Sequence, residues 1–279
     1  MKVGFIGTGS MGGLLIDAFL SSGGLLAGDV IASNRSRQKL DRLAQLHPGI
    51  TLAGNNRETA AGSDILFLCV KPLEFKALTD EISDCLGSEQ IVVSITSPVQ
   101  IHHLERVLPS KIAKIVPSIT HSVFSGTSLC VLGSRLDDHD RELLLGLMSH
   151  IGNPVGISES HTRISSDFSS CGPAFLSLFL ERWIEAAAAA TGIDRSLAGV
   201  LAAEMLLGTG RLLTEGGFTP GELQERVAVP GGITAEALSL LGCSLDGVFE
   251  RLIDTTHRKY DEDLAKLDAL FGKDGPASE

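Results

Sequence analysis

Cysteine pairs are missing from this sequence. Its five cysteines, Cys69, Cys85, Cys130, Cys171 and Cys243, are scattered, and none forms a C-x-x-C. That excludes a disulfide framework or a zinc ribbon and fits reduced thiols in a cytoplasmic protein. Histidines are equally dispersed: His121, His150, His161 and His257 show no ligand spacing, so no metal is expected. His102 and His103 read as surface residues of a helix, and Asp137-Asp138-His139-Asp140 as a solvated helix start. No apolar run reads as long enough to span a bilayer, and Asp17 interrupts the first apolar helix, so no membrane anchor is expected. Nor does a basic stretch precede an apolar core at the amino terminus, so no secretory signal is expected. Basic excess is lacking too: the formal charge is −11, which argues against a nucleic-acid partner. Residues 1–157 hold 13 Lys+Arg against 15 Asp+Glu, whereas residues 158–279 hold 10 against 19. That change of character predicts a domain boundary.

What is present begins at the third residue. Val3-Gly4-Phe5-Ile6 is a hydrophobic strand running into Gly7-Thr8-Gly9-Ser10-Met11-Gly12, followed by the helical apolar pattern Leu14, Leu15, Ala18 and Phe19. Strand, glycine turn and helix together make an anion site from backbone alone. Gly7 serves the tight turn, Gly9 the approach of a pyrophosphate, and Gly12 close packing of helix on strand. The N–H groups and positive dipole end of the helix then face the phosphates.

The first half alternates short apolar runs, at 3–6, 30–32, 65–70, 91–95, 112–116 and 128–132, with helical or turn segments. This predicts a doubly wound parallel (Rossmann) sheet over 1–157, with ligands at the carboxyl ends of the strands. After about residue 158 strands vanish. Helical spacing covers 165–190, with Phe168, Phe175, Leu178, Phe179 and Trp183 on or near one face, and then 194–214. Thr219-Pro220-Gly221-Glu222 is a capping box, Val229-Pro230-Gly231-Gly232 interrupts the pattern, and helices resume from 234 to 270. The fold class is therefore α/β, with an all-α domain at 158–279 whose apolar surface suits a homodimer or higher homo-oligomer. The polar tail 273–279 is expected to fray.

An acidic residue is absent where NAD-preferring sites place one, after the second strand. In its place stand Asn34, Arg35, Ser36 and Arg37, whose guanidiniums, amide and hydroxyl suit a 2′-phosphate, so NADP(H) is preferred over NAD(H).

Asn34-Arg35-Ser36, Val70-Lys71-Pro72, Ser170-Cys171-Gly172-Pro173-Ala174-Phe175 and Pro230-Gly231-Gly232-Ile233-Thr234 occur in a recognisable order. The chain resembles the pyrroline-5-carboxylate reductase family over essentially its whole length. Within the family it is most like a divergent late competence (ComER) branch, through Ser94–Gln100, Val116–Thr120 and His257–Asp263. The resemblance implies hydride transfer from a nicotinamide to the C=N carbon of a cyclic imino acid, giving proline. It places Asn56 and Val70-Lys71-Pro72 at the cofactor and Thr96 and Ser97 near the nicotinamide. Glu159 and the segment Val227 to Thr234 would meet the substrate, with N–H groups of Gly231-Gly232-Ile233-Thr234 on its carboxylate and Thr234 as the orienting catalytic hydroxyl.

Four departures bear on the substrate. Val116-Pro117-Ser118-Ile119-Thr120 replaces the usual Met-Pro-Asn-Thr-Pro, and Thr96-Ser97-Pro98 replaces Ala-Ala-Gly. Ser169-Ser170-Cys171-Gly172 replaces Ser-Gly-Ser-Gly, and Val229 replaces a serine. Two alternatives stay open beside the reductase: a reductase of another imine or carbonyl, and a dinucleotide-binding relative acting through a protein partner. β-Hydroxyacid dehydrogenases place a catalytic lysine on the long helix after the sheet domain. No lysine occurs here between residues 158 and 258, which argues against that class.

Overall fold

The structure, a computed structural model, describes residues 1–272. The expected frayed tail, 273–279, lies outside the described residues. In chain order the first elements are β1 (Val3–Ile6), α1 (Ser10–Ser21), β2 (Val30–Ser33), α2 (Arg37–Leu46), β3 (Thr51–Leu52), α3 (Asn56–Ala61), β4 (Ile65–Leu68), α4 (Phe75–Ile82), β5 (Ile91–Ser94), α5 (Ile101–Glu105) and β6 (Lys111–Val116). They continue with β7 (Thr127–Leu132), α6 (Asp138–Ser149), β8 (Asn153–Gly156), α7 (Thr162–Ser166), α8 (Gly172–Thr191), α9 (Arg195–Thr214), α10 (Pro220–Val227), α11 (Ile233–Leu245) and α12 (Val248–Phe271).

The eight strands form one sheet in the order β3-β2-β1-β4-β5-β6-β7-β8. All neighbours are parallel except β6 and β7. The doubly wound parallel sheet thus carries one antiparallel pair. The exception arises because only a short 3-10 turn at Ile119–Val123 joins β6 to β7, and a parallel return needs a longer crossover. Two strands escaped the sequence reading: β3 has two residues, and β8 is Asn-Pro-Val-Gly, which reads as a turn and is tolerated at a sheet edge.

Alternate side chains feed opposite faces, as a doubly covered sheet requires. Val3, Phe5, Phe67 and Val93 join Phe19 of α1 and Leu144 of α6 in one core. Ile6, Leu66, Leu68, Val92 and Ile112 join Phe75 and Leu78 of α4 in the other, together with Leu267 and Phe271 from the end of α12. Phe5 and Phe67 stack with centroids 5.0 Å apart.

Packing of α12 explains why the compact units divide the chain differently from a cut at residue 157. Among the described residues one unit comprises Met1–Pro173 with residues 255–272, and the other comprises Ala174–Asp254. His103 is fully buried rather than superficial. Its Nδ1 accepts from the Gln100 N–H (3.2 Å), Nε2 donates to Asp268 Oδ1 (2.8 Å), and its ring stacks on Phe271 at 5.1 Å. His102, His103 and Asp268 bring ligand atoms together, but both nitrogens of His103 are already used, Nδ1 in capping α5 and Nε2 in docking α12. Asp140 is likewise buried, in a capping box with Asp137 and 2.8 Å from Lys111 Nζ.

The second unit has almost no interior: Ala198 alone is buried among its described residues. Phe179, Trp183, Leu197, Val200, Leu201 and Met205 are exposed, and a groove of about 240 Å³ runs between α8 and α9. By length and composition α9 is apolar enough to cross a membrane, which corrects the expectation that no run is long enough. Glu204 and Arg211 punctuate the run, so the sequence does not read as one unbroken apolar segment.

Candidate functional site

Sheet register sets the site. Ser33, Ile6, Leu68, Ser94 and Lys114 lie in one row across β2, β1, β4, β5 and β6. Chain leaving the ends of the first four therefore emerges at one edge of the sheet. That edge carries the glycine loop, Asn34–Ser36, Val70–Pro72 and Thr96–Ser97, so the expected cofactor residues share one end of this unit.

Each glycine of the loop has a separate reason. Gly7 has φ of +96°, and a Cβ there would stand 2.5 Å from the Cys69 carbonyl oxygen. At Gly12 a Cβ would fall 2.0 Å from the Gly7 oxygen, so helix and turn close only without one. At Gly9 an added Cβ would meet nothing within 4 Å, so this is the side open to a ligand. Gly9 also precedes α1 as its N-cap with no side-chain bond, leaving the first-turn N–H groups of Ser10, Met11 and Gly12 for an anion. Thr8 is buried, donates its N–H to Asn34 Oδ1 (3.2 Å), and has a hydroxyl without a hydrogen-bond partner. This cradle fits a dinucleotide pyrophosphate.

Beside it a cavity of about 460 Å³ is lined by Gly9, Asn34, Arg35, Lys39, Asn56 and Lys71, among others. Ser33 Oγ donates to Asn56 Oδ1 (3.0 Å), and Asn56 Nδ2 donates to Glu81 Oε2 (2.9 Å), which fixes the amide on the wall. Ser36 is the N-cap of α2, and Pro72 opens a 3-10 turn, Pro72–Glu74. No carboxylate follows β2 directly. Across the cavity, however, Glu74 meets Arg35, with NH2 to Oε1 at 2.5 Å.

The loop after β5 rests on a buried lysine, Lys114, that is not among the site residues expected from the sequence. Lys114 is fully buried, and its Nζ donates to Ser97 O (3.2 Å) and pairs with Glu159 Oε1 (2.6 Å). Glu159 Oε1 also accepts the Ile101 N–H (2.9 Å) at the start of α5. Gln100, with its amide oriented so that both ends are satisfied, donates to the same carboxylate (2.9 Å) and accepts from the Tyr260 hydroxyl (2.7 Å). Burial pushes the Lys114 ammonium below its ordinary value, against the raising effect of Glu159. Glu159 was expected at the substrate, but in this unit its carboxylate is engaged in holding the Thr96–Ile101 segment. The available signal was a lysine inside the apolar run Ile112-Ala113-Lys114-Ile115-Val116. Thr96 Oγ1 lies 3.3 Å from Ser94 Oγ, and Ser97 Oγ is buried without a partner.

Two of the departures from the family pattern are linked. Ser118 Oγ donates to Ser169 O (2.7 Å), and Ser170 Oγ donates to Pro117 O (3.1 Å). The added hydroxyls clasp two loops reciprocally. Behind them one π-helical turn, Asp167–Cys171, is tied down through Asp167, which accepts from Arg163 (2.8 Å) and from Thr256 Oγ1 (2.7 Å).

The expected substrate residues Val227, Gly231, Gly232, Ile233 and Thr234 lie in the second unit. Gly231 has φ of +71°, and Gly232 donates its N–H to Val229 O (2.8 Å) and serves as N-cap of α11 without a side-chain bond. The N–H groups of Ile233 and Thr234 therefore begin a 13-residue helix with no intrahelical acceptor. Val227 ends α10 and is exposed.

Comparison with known proteins bears on both halves. Residues 159–263 match the family model described as pyrroline-5-carboxylate reductase dimerisation, and residues 2–98 match that described as NADP oxidoreductase, coenzyme F420-dependent. ComE operon protein 4 of Bacillus subtilis is 35% identical over 97% of this chain and 99% of its own length. Pyrroline-5-carboxylate reductase of Escherichia coli is 31% identical over 86% of this chain and 89% of its own. Among solved structures, the pyrroline carboxylate reductase of Plasmodium falciparum with NADP bound superposes with a TM-score of 0.81 at 23% identity, covering 98% of both chains. That of Coxiella burnetii gives 0.81 at 25% identity, covering 96% of this chain and 98% of its own.

Proposed function

This chain belongs to the pyrroline-5-carboxylate reductase family, a family of NAD(P)-dependent oxidoreductases, and from that premise we propose that it reduces 1-pyrroline-5-carboxylate, or a close cyclic imino acid, with NADPH. The observation that carries the reading is the glycine cradle, whose only unobstructed glycine is Gly9. It opens beside the Asn34–Ser36 wall, which lacks an acid for a 2′-hydroxyl. When bound, the nicotinamide supplies a hydride to the C=N carbon, and a proton on the imine nitrogen completes the amine.

The chain's own residues bind, orient and hold. First-turn N–H groups of α1 take the pyrophosphate, and Arg35 with Asn34 and Ser36 takes the 2′-phosphate. Asn56, Val70, Lys71 and Pro72 wall the adenosine side. Lys114 and Glu159 fix the Thr96–Ser97 backbone, so that the nicotinamide meets a preset surface. At the start of α11, N–H groups of Ile233 and Thr234 hold the substrate carboxylate without a buried cation, which suits an acidic domain. The Thr234 hydroxyl orients the imine nitrogen and passes it a proton from water. Because Ser118 and Ser170 are hydrogen-bonded to backbone carbonyls, their hydroxyls are consumed by the clasp rather than aimed at a ring.

The exposed faces of α8 and α9 meet a second copy, since Leu197, Leu201 and Met205 in water would leave a patch too apolar for a monomer. The scattered cysteines of the sequence, none in a C-x-x-C, suit a reducing cytoplasm. Thr234→Ala tests the assignment: kcat with pyrroline-5-carboxylate falls at least tenfold while NADPH affinity holds. An unchanged kcat removes Thr234 from the mechanism. The side chains at Thr96, Ser118, Ser170 and Val229, which depart from the family pattern, favour one other reading: a dinucleotide-binding relative without turnover that acts through a protein partner. NADPH binding with no consumption of any cyclic imine would select it.

A further inference from the structure

The mouth of the cofactor cavity is bridged by an ion pair that the reductase reading leaves without a role. Arg35, from the loop after β2, reaches across to Glu74, at the end of the turn after β4. Both residues line the cavity. Their anchoring is unequal. Glu74 Oε2 accepts the Lys71 N–H (3.2 Å) while the Glu74 N–H donates to the Lys71 carbonyl (2.9 Å), which fixes the carboxylate. The Arg35 side chain is 86% exposed and has no other hydrogen bond among those of the described residues. Partial burial works to raise the Glu74 carboxyl, but the Lys71 N–H and the Arg35 guanidinium outweigh it and hold it below its ordinary value. The carboxylate is thus a fixed charge, and the guanidinium is the movable partner.

We propose that Glu74 tempers the cofactor preference: it holds Arg35 across the cavity and yields it only to a cofactor carrying a 2′-phosphate, so that its charge sets how strongly that phosphate is favoured. A phosphate dianion accepts the guanidinium in bidentate fashion and displaces a single carboxylate contact. A ribose with a free 2′-hydroxyl offers nothing to displace it, so the pair stays closed. The trade has a cost. Glu74 loses its partner and faces a phosphate of like charge, which weakens NADP(H) binding relative to a neutral side chain at that position. Exposed pairs contribute up to about 1 kcal/mol, a factor of about five in affinity.

This proposal rests on the NADP(H) reading above, and binding experiments separate the two. Full-length protein, Glu74→Gln, Arg35→Gln and the double variant are titrated with NADPH, NADH, adenosine 2′,5′-bisphosphate and 5′-AMP, following ligand fluorescence or heat. Glutamine keeps an acceptor for the Lys71 N–H, so the turn survives. The expected result is that Glu74→Gln tightens NADPH and the bisphosphate about fivefold, leaves NADH and 5′-AMP within about twofold, and has no effect once Arg35 is glutamine. A silent Glu74→Gln in a protein that prefers NADPH overturns the role of Glu74 alone. Equal tightening of NADPH and NADH overturns it too. Wild-type protein binding NADH as tightly as NADPH overturns the cofactor reading, and the proposal with it.

Discussion

Replacing Glu159 by leucine would leave the Lys114 ammonium buried with Ser97 O as its remaining contact. Removing one member of a buried pair costs about 3–5 kcal/mol, and the partial exposure of Glu159 puts this case at the low end, about 3 kcal/mol. In a chain of this size that is roughly a 6–12 °C fall in melting temperature. The pH dependence is more diagnostic. Burial already lowers the Lys114 ammonium from its ordinary 10.5, and loss of Glu159 lowers it further. Between the folded and unfolded values the unfolded chain binds the extra proton, so stability rises with pH over that window. The window extends to lower pH in the variant than in wild type. The deficit of Glu159→Leu is therefore largest near neutrality and shrinks toward pH 10, as the stranded lysine sheds its proton. Urea unfolding of both proteins at pH 7, 8.5 and 9.5, at one protein concentration, measures this. Adding Lys114→Met to Glu159→Leu should recover more than half of the loss, because no charge is then stranded. A deficit independent of pH, or a double variant worse than the single, would refute the reasoning.

Three further outcomes are expected. Gly9→Ala should leave the melting temperature within about 2 °C, since no atom stands within 4 Å of the added methyl, yet abolish measurable NADPH binding; Gly12→Ala should itself destabilise, by about 1–3 kcal/mol. Burial keeps His103 below its ordinary 6.5, outweighing Asp268. Folding then favours the neutral ring, and stability present above 6.5 is lost as pH falls through the folded value. Hydrogen exchange at Leu267–Phe271 should consequently quicken below pH 6 relative to the β4 and β5 strands. Trp183, the sole tryptophan, lines the apolar groove of the helical unit, so its emission should shift to the blue as protein concentration rises through association. A maximum independent of concentration across the monomer–oligomer transition would place Trp183 outside the contact.

The parts legible in the sequence were those where one local rule decides. The three glycines of the first loop each met the obstacle, or the open space, that the motif assigns them. The Thr219–Glu222 capping box is present, with Pro220 opening its helix. Long-range pairing was not legible. Nothing local announces that His103 meets Asp268 across 165 positions, or that Gln100 meets Tyr260 across 160. Those contacts return the last helix to the sheet unit and set it apart from the boundary suggested by charge. Lys114 was visible as a cation in an apolar strand, but its partner Glu159 was read only through its family position. The antiparallel β7 turned on the length of one connection rather than on strand composition.

Imine reduction is tested most directly by following product. Purified protein is given NADPH and 1-pyrroline-5-carboxylate, with nicotinamide oxidation and proline formation measured together. The expected result is equimolar proline and oxidised cofactor, with formation at least tenfold slower in Thr234→Ala. Tight NADPH binding with no proline formed would contradict it.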